Sequence, residues 1–204
     1  MKLKKILARG AEAIIFLEKE NILKSRTPKG YRNKELDLKL RESRTRKEKK
    51  LLKKAKELIP VPKIIENATK DKTSILIENL KGEKLSETLE NYKEKEQKEI
   101  MIVLGKQVAK IHDHNIIHGD LTTSNVILIN KTPHIIDFGL GFISQRIEDR
   151  AVDLHLIKQA LEAKHWRNHK KLFEFFLEGY NDSKECKKTE EQLKKVESRG
   201  RYKH

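Results

Sequence analysis

The stretch IIHGDLTTSNVIL, residues 116–128, holds a histidine, an aspartate and an asparagine between two runs of β-branched residues. Asp120 and Asn125 stand five apart. Asp137 follows 17 residues after Asp120 and opens Asp-Phe-Gly behind a short apolar run. Asp and Asn offer hard oxygen ligands, which suit Mg²⁺ better than a softer metal. Two such ligands on neighbouring strand ends, Asn125 and Asp137, can hold Mg²⁺ against the phosphates of a nucleotide. Asp120, at a loop apex, is then free to accept a proton from a hydroxyl or to orient a water. Upstream, Lys24 lies in the apolar run NILKSR, where a bare ammonium is costly unless paired. Glu48 falls on the inward stripe of a helical segment with Leu52, Ala55 and Ile59. A Lys24–Glu48 pair that holds the lysine toward phosphates accounts for both residues.

Simpler readings compete. Asp120 and Asn125 alone fit an ordinary Asx turn. Asp137, Lys24 and Glu48 in the right order make the turn the weaker account. His112, His114 and His118 include a pair four apart, but no third ligand has zinc-site spacing. The aromatics of LFEFFLEGY read as core, and Cys186 as inert.

The elements that must position these groups fall into two sets. Residues 3–8 and 13–18 alternate around Gly10 as a two-stranded hairpin, and 21–26 reads as a third strand. A helix is expected over 43–59, then strands at VPKIIE and SILIENL, split by the polar turn NATKDKT. Beyond KGEKLSE the pattern turns helical. Residues 94–114 form a helix with Ile100, Leu104, Val108 and Ile111 on one stripe. VILI, a turn at NKTP and HIIDFG follow; from 148 onward helices are expected, the last over the polar segment 183–197. This predicts an α+β chain of two lobes, residues 1–80 and 81–204, hinged near 78–82.

Composition sets the limits. The chain has 204 residues, 36% hydrophobic and 38% charged, so the core is modest and the surface heavily charged. No apolar run reaches the roughly 20 residues that span a bilayer, so no membrane partner is expected. The start MKLKKILARGAEAIIF imitates a signal peptide until Arg9, Gly10 and Glu12 interrupt it, and is read as a strand of the fold. A single cysteine fits a reducing, cytoplasmic setting. The net charge is +15, concentrated between Lys24 and Lys56, where fifteen Lys/Arg face four acids. Such a surplus repels itself and points to an anionic partner, RNA ahead of an acidic protein. Neutralising Arg41, Arg44 and Arg46 is expected to weaken RNA binding and its salt dependence. The tail VESRGRYKH reads as a flexible basic arm.

HGDLTTSN, the Asp-Phe-Gly at Asp137, a strand lysine and a helix glutamate together resemble the protein-kinase-like fold. More narrowly, LKSRTPKGYRNKELDLKLRESRTRKE, HGDLTTSN, EDRAVDL and RGR resemble the small atypical kinase subunits of the KEOPS complex, a PRPK-like family related to the RIO kinases. The resemblance implies ATP and Mg²⁺ as cofactors. It also implies work in tRNA threonylcarbamoyladenosine modification beside a TsaD-type transferase subunit, to which some archaeal members are fused. Carried over by position, Lys24 would contact the α/β-phosphates and Glu48 would orient it. Asp120 would be the base or water-positioning residue, and Asn125 and Asp137 the Mg²⁺ ligands. Gly10 and Ala11 would belong to the phosphate-covering loop. Glu78 and Leu80 would offer backbone groups to adenine, and Asp153 would brace the catalytic loop.

Departures matter too. The covering loop ARGAEA has one glycine rather than three, Gly119 replaces the usual arginine, and Thr122 stands where a lysine is usual. No APE motif follows, and residues 140–147 leave no room for an activation segment. Water or the protein itself is therefore favoured over an extended peptide as phosphoryl acceptor. Two other readings stay open. HGDL-x3-N also resembles small-molecule phosphotransferases of the aminoglycoside-kinase type, although about 65 residues after Asp-Phe-Gly leave little space for their substrate subdomain. The remaining one is a non-catalytic tRNA-binding module on a decayed kinase fold, against which Lys24, Asp120, Asn125 and Asp137 all speak.

Overall fold

The computed structural model describes residues 5–66 and 71–200. Four antiparallel strands, β1 (Lys5–Arg9), β2 (Ala13–Glu18), β3 (Asn21–Arg26) and β4 (Ser74–Glu78), form one sheet in the order β1-β2-β3-β4. Between β3 and β4 runs the long helix α1 (Lys34–Lys56). It starts nine residues before the expected 43. Asn33 caps it, accepting from the amides of Glu35 and Leu36, and Glu35 and Asp37 supply the acidic first turn that suits a helix N-terminus. The segment VPKIIE is not a strand: it makes a single bridge, Ile64 to Ile77. Pro60 and Pro62 supply no backbone donors, so a ladder cannot extend through them.

After β5 (Glu83–Lys84) and the short helix α2 (Leu85–Thr88), α3 (Glu94–Asp113) leads into β6 (Ile116–Ile117) and the loop 118–125. β7 (Val126–Ile129) and β8 (Thr132–Ile135) form a hairpin that joins β5 in the order β5-β7-β8. Its turn is Asn130-Lys131, both at positive φ, which matches the right-handed twist of the strands. β8 therefore begins inside the NKTP segment. β9 (Phe142–Ile143) pairs with β6. The helices α4 (Ile147–Lys164), α5 (His169–Tyr180) and α6 (Cys186–Gly200) complete the chain. The tail is no free arm through Gly200. Lys158 bonds Glu197 at 2.6 Å and Arg199 bonds Glu148 at 2.7 Å, tying α6 to α4, while Leu193 packs into the core. Residues 201–204 lie outside the described residues. Among the described residues, no helix is long and apolar enough to cross a membrane.

One buried cluster joins Leu51, Leu52 and Ala55 of α1, Ile75 of β4 and the inner faces of α3, α4 and α5. The sheet and the helical half are thus welded through α1. The tightest contact is between α3 and α5. A Cβ on Gly105 would lie 2.0 Å from the Phe176 carbonyl, and one on Gly179 would lie 2.0 Å from the Ile102 carbonyl. Each glycine lets the other helix's backbone approach. Helix propensity alone would make Gly→Ala stabilising by about 1 kcal/mol. Here the added methyl meets backbone, so Gly105→Ala and Gly179→Ala are each expected to destabilise by roughly 1–3 kcal/mol. Urea denaturation decides it, because the two effects have opposite signs.

Candidate active site

The loop from His118 to Asn125 is shaped by a carboxylate beneath it. Asp153 on α4 is fully buried and accepts from the amides of His118 at 2.6 Å and Gly119 at 2.8 Å. Its Oδ2 also lies 3.2 Å from Nε2 of buried His112, whose Nδ1 is 2.8 Å from the Tyr180 hydroxyl. Burial pushes the Tyr180 hydroxyl up to about 12, so it remains a donor to His112 Nδ1. Gly119 adopts φ +77, and a Cβ there would strike the Leu140 carbonyl at 2.5 Å. The chain can turn under Leu140 only with glycine. His118 Nε2 lies 2.9 Å from the Ile136 carbonyl, and its Nδ1 accepts from the Asp120 amide at 3.2 Å. A carbonyl can only accept and an amide only donate, so His118 is a Nε2–H tautomer holding two parts of the loop together.

Asp120 and Asn125 are bonded to each other. Asn125 Nδ2 donates to both the backbone carbonyl and Oδ2 of Asp120, each at 2.9 Å. Asn125 Oδ1 is then its remaining acceptor. The Asn125 carbonyl accepts from the Ile136 amide at 2.9 Å, which sets Asp137 directly beside it.

Asp137 sits in a left-handed conformation, φ 63 and ψ 70, and caps the turn Phe138–Leu140 by accepting from the Gly139 amide. Its Oδ1 lies 2.6 Å from Lys24 Nζ. Lys24 also reaches Glu48 Oε1 at 2.7 Å, and Arg26 Nη2 takes Glu48 Oε2 at 2.6 Å. Lys24, Arg26 and Glu48 are all buried. Arg26 was not expected. It stands two residues after Lys24, on the same face of β3, and that alternation was the available signal. A Cβ on Gly139 would lie 3.0 Å from Lys24 Nζ and 3.4 Å from Arg26 Nη2, so both cations crowd the Asp-Phe-Gly turn.

Burial works against the Lys24 charge, but the carboxylates of Glu48 and Asp137 override it and hold the lysine above its ordinary 10.5. Burial likewise pushes Asp137 up, and the neighbouring Lys24 ammonium overrides it, holding the carboxyl below its ordinary 3.8. A depressed carboxyl stabilises the fold above its unfolded value and loses that contribution as pH falls through the folded one. A raised lysine stabilises below its unfolded value and loses the contribution as pH rises through the folded one. The pair is therefore intact across the whole interval from 3.8 to 10.5.

These groups open on a cleft of about 430 Å³ between the sheet and the β7–β8 hairpin. Lys24, Glu48, Asn125 and Asp137 line it; Ile15 and Ile22 from the sheet and Ile127 and Ile136 from below form apolar walls. Asp120 is tied to this set through Asn125. Glu78 and Leu80 line the cleft at the crossing between the two halves. The Glu78 amide is engaged by the Lys63 carbonyl, so its own carbonyl is what it can offer. Leu80 accepts from Gly82, and its N–H has no backbone partner among the described residues. Gly10 and Ala11 form the exposed tip of the β1–β2 turn and do not line the cleft. Lys29 Nζ donates to the Ala11 carbonyl, and Arg44 pairs with Glu12, so α1 and its preceding loop hold that tip. From Gly139 the chain reaches α4 through β9 alone, with no activation segment.

The protein kinase domain family matches residues 4–169. The KEOPS complex subunit Bud32 of Pyrococcus abyssi is 38% identical over 97% of this chain and 96% of its own length. A probable bifunctional tRNA threonylcarbamoyladenosine biosynthesis protein of Methanobrevibacter smithii is 40% identical over 98% of this chain, which spans only 37% of that protein's length. Among solved structures, the ADP-bound aminoglycoside phosphotransferase APH(2'')-Ib superposes with a TM-score of 0.67 at 14% identity, over 94% of this chain and 81% of that one, a likeness of fold. The chain belongs to the protein kinase domain family and, within it, to the family of the archaeal Bud32 proteins.

Proposed function

We propose that this chain is a Mg²⁺-ATP-dependent atypical serine/threonine kinase and ATPase. In this reading it supports tRNA threonylcarbamoyladenosine modification in a cytoplasmic KEOPS-type assembly, beside a TsaD-type threonylcarbamoyltransferase subunit. The observation that carries the chemistry is the convergence of Lys24, Glu48, Asn125 and Asp137 on one cleft, with Asp120 bonded to Asn125. The names of the relatives support the assembly. The lobes divide near residue 80, at the crossing where Glu78 and Leu80 can meet adenine.

The residues present fit Mg²⁺. Asn125 Oδ1 and the Asp137 carboxylate are hard oxygen donors on adjacent strand ends, and Asp137 is kept ionised. Bound there, Mg²⁺ would supply charge neutralisation to the terminal phosphates. Lys24 Nζ, oriented by Glu48, would contact the α/β-phosphates. Asp120, with Oδ2 held by Asn125, keeps Oδ1 to accept a proton from the attacking water or hydroxyl. The short link from Gly139 to α4 offers nothing to grip an extended peptide, which favours water or a nearby hydroxyl as acceptor. The aminoglycoside-kinase reading gains only a shared fold from its 14% likeness.

Label from γ-labelled ATP should appear as free phosphate, stimulated by tRNA and the transferase subunit. Label that accumulates on protein instead would make phosphorylation the principal reaction. Asp120→Ala should lower turnover at least 100-fold while nucleotide binding and the folded state persist; undiminished turnover removes Asp120 from its role. Lys24→Met removes the cation that holds Asp137 down and leaves burial to act, so the Asp137 midpoint should move up in pH. The Gly139 amide, bonded to Asp137, reports it by NMR titration. Arg26→Met leaves one Glu48 oxygen buried and unpaired and should destabilise by roughly 3 kcal/mol. Arg26→Lys should recover part of that in chemical denaturation.

A further inference from the structure

The fifteen cations between Lys24 and Lys56 divide into two groups in the fold. Lys24 and Arg26 share Glu48. Arg41 Nε bonds buried Asp37 at 2.7 Å, and Arg44 pairs with Glu12. Arg41, Arg44 and Arg46 therefore do not act as one set: the first two are held in ion pairs, whereas Arg46 is exposed and in no ion pair among the described residues. Lys53 pairs with Glu66. Arg46, Lys47, Lys50 and Lys54 are exposed and take part in no ion pair among the described residues. Arg46, Lys50 and Lys54 succeed one another at steps of four, about 6 Å along the helix axis, with Lys47 beside them.

Beside this row is a notch of about 350 Å³ lined by Glu42, Thr45, Arg46, Lys49 and Lys72. Lys72 comes from the turn before β4, so two elements place three cations around it against one carboxylate. None of the exposed large apolar side chains falls between residues 39 and 64; Leu51, Leu52 and Ala55 of this helix are all buried. A protein partner needs an apolar centre to its interface. A phosphate backbone needs only spaced cations. The nucleotide cleft lies on the other face of the same helix, where Glu48 points inward.

We propose that the outward face of α1 from Arg46 to Lys54, flanked by Lys49 and Lys72, is a docking track for the phosphate backbone of an RNA. This rests on the tRNA reading above and names its surface.

The test is equilibrium binding of a tRNA transcript to the full chain across a salt series. It compares wild type, the quadruple variant Arg46→Gln/Lys47→Gln/Lys50→Gln/Lys54→Gln, the pair Lys49→Gln/Lys72→Gln, and a charge-matched control. The control is Lys187→Gln/Lys188→Gln/Lys194→Gln/Lys195→Gln on α6. The α1 quadruple should bind at least tenfold more weakly near 0.1 M salt, with a log–log salt slope shallower by about 3, as loss of four phosphate contacts predicts. The Lys49/Lys72 pair should flatten the slope by about half as much, and the α6 control should change affinity less than twofold. ATP hydrolysis without RNA should be the same in all four. An unchanged slope in the α1 quadruple overturns the track while leaving tRNA binding intact. Equal loss in the α6 control overturns it as a mere net-charge effect. Failure of the wild type to bind tRNA at low salt, with hydrolysis intact, overturns both the track and the tRNA part of the reading.

Discussion

Glu48 has two carboxylate oxygens, and each is taken by a different buried cation. Everything in the upper half of the site depends on that division. With Lys24 on one oxygen and Arg26 on the other, the glutamate cannot rotate away without stranding a charge in the core. Removing one partner of a buried pair is far more costly than the pair's net worth. The helix that carries Glu48 is consequently fixed against β3, and Leu51 and Leu52, a turn further on, are fixed in the common core. Lys24 then reaches Asp137 across the cleft, so strand, helix and Asp-Phe-Gly turn are joined by four alternating charges that sum to zero.

Asp153 plays the corresponding part below. A carboxylate with three donors stands in the second turn of α4, outside the cleft and under the loop. It converts the backbone of His118 and Gly119 into a fixed bend, from which Asp120 and Asn125 project. His118, despite its place in the motif, is absorbed into support by the Ile136 carbonyl and the Asp120 amide. Asp120 and Asn125 are thus carried on a loop that has little freedom of its own, as the proposed chemistry on phosphates would require.

Where a residue's cost in its local context was high, the sequence was readable. Lys24 in an apolar strand needs a partner, and a glutamate on an apolar helical stripe is the natural one. Arg26 is not legible in this way, because it stands at the strand's end, before a Pro- and Gly-containing basic loop, where a solvated charge is the ordinary expectation. The first two turns of α1 were hidden for a different reason. Leu36 and Leu38 are exposed and two apart, a strand-like spacing, and only the asparagine cap and the two acids of the first turn announce the helix. The basic tail looked free because its anchors, Glu148 and Lys158, lie far away in sequence. The turn at Gly10 has the glycine of a covering loop, yet its tip is held by side chains of α1 and the preceding loop, which no local pattern announces.

Asn125 has a consequence for the lifetime of the protein. Both hydrogens of its amide are engaged by oxygens of a single residue. Deamidation, the slow hydrolysis that ages asparagine and quickens with heat, would replace this donor with a carboxylate facing a carboxylate. Chemical wear at one side chain would therefore set a second negative charge against Asp120 and undo the contact that joins the two ends of the His118–Asn125 loop.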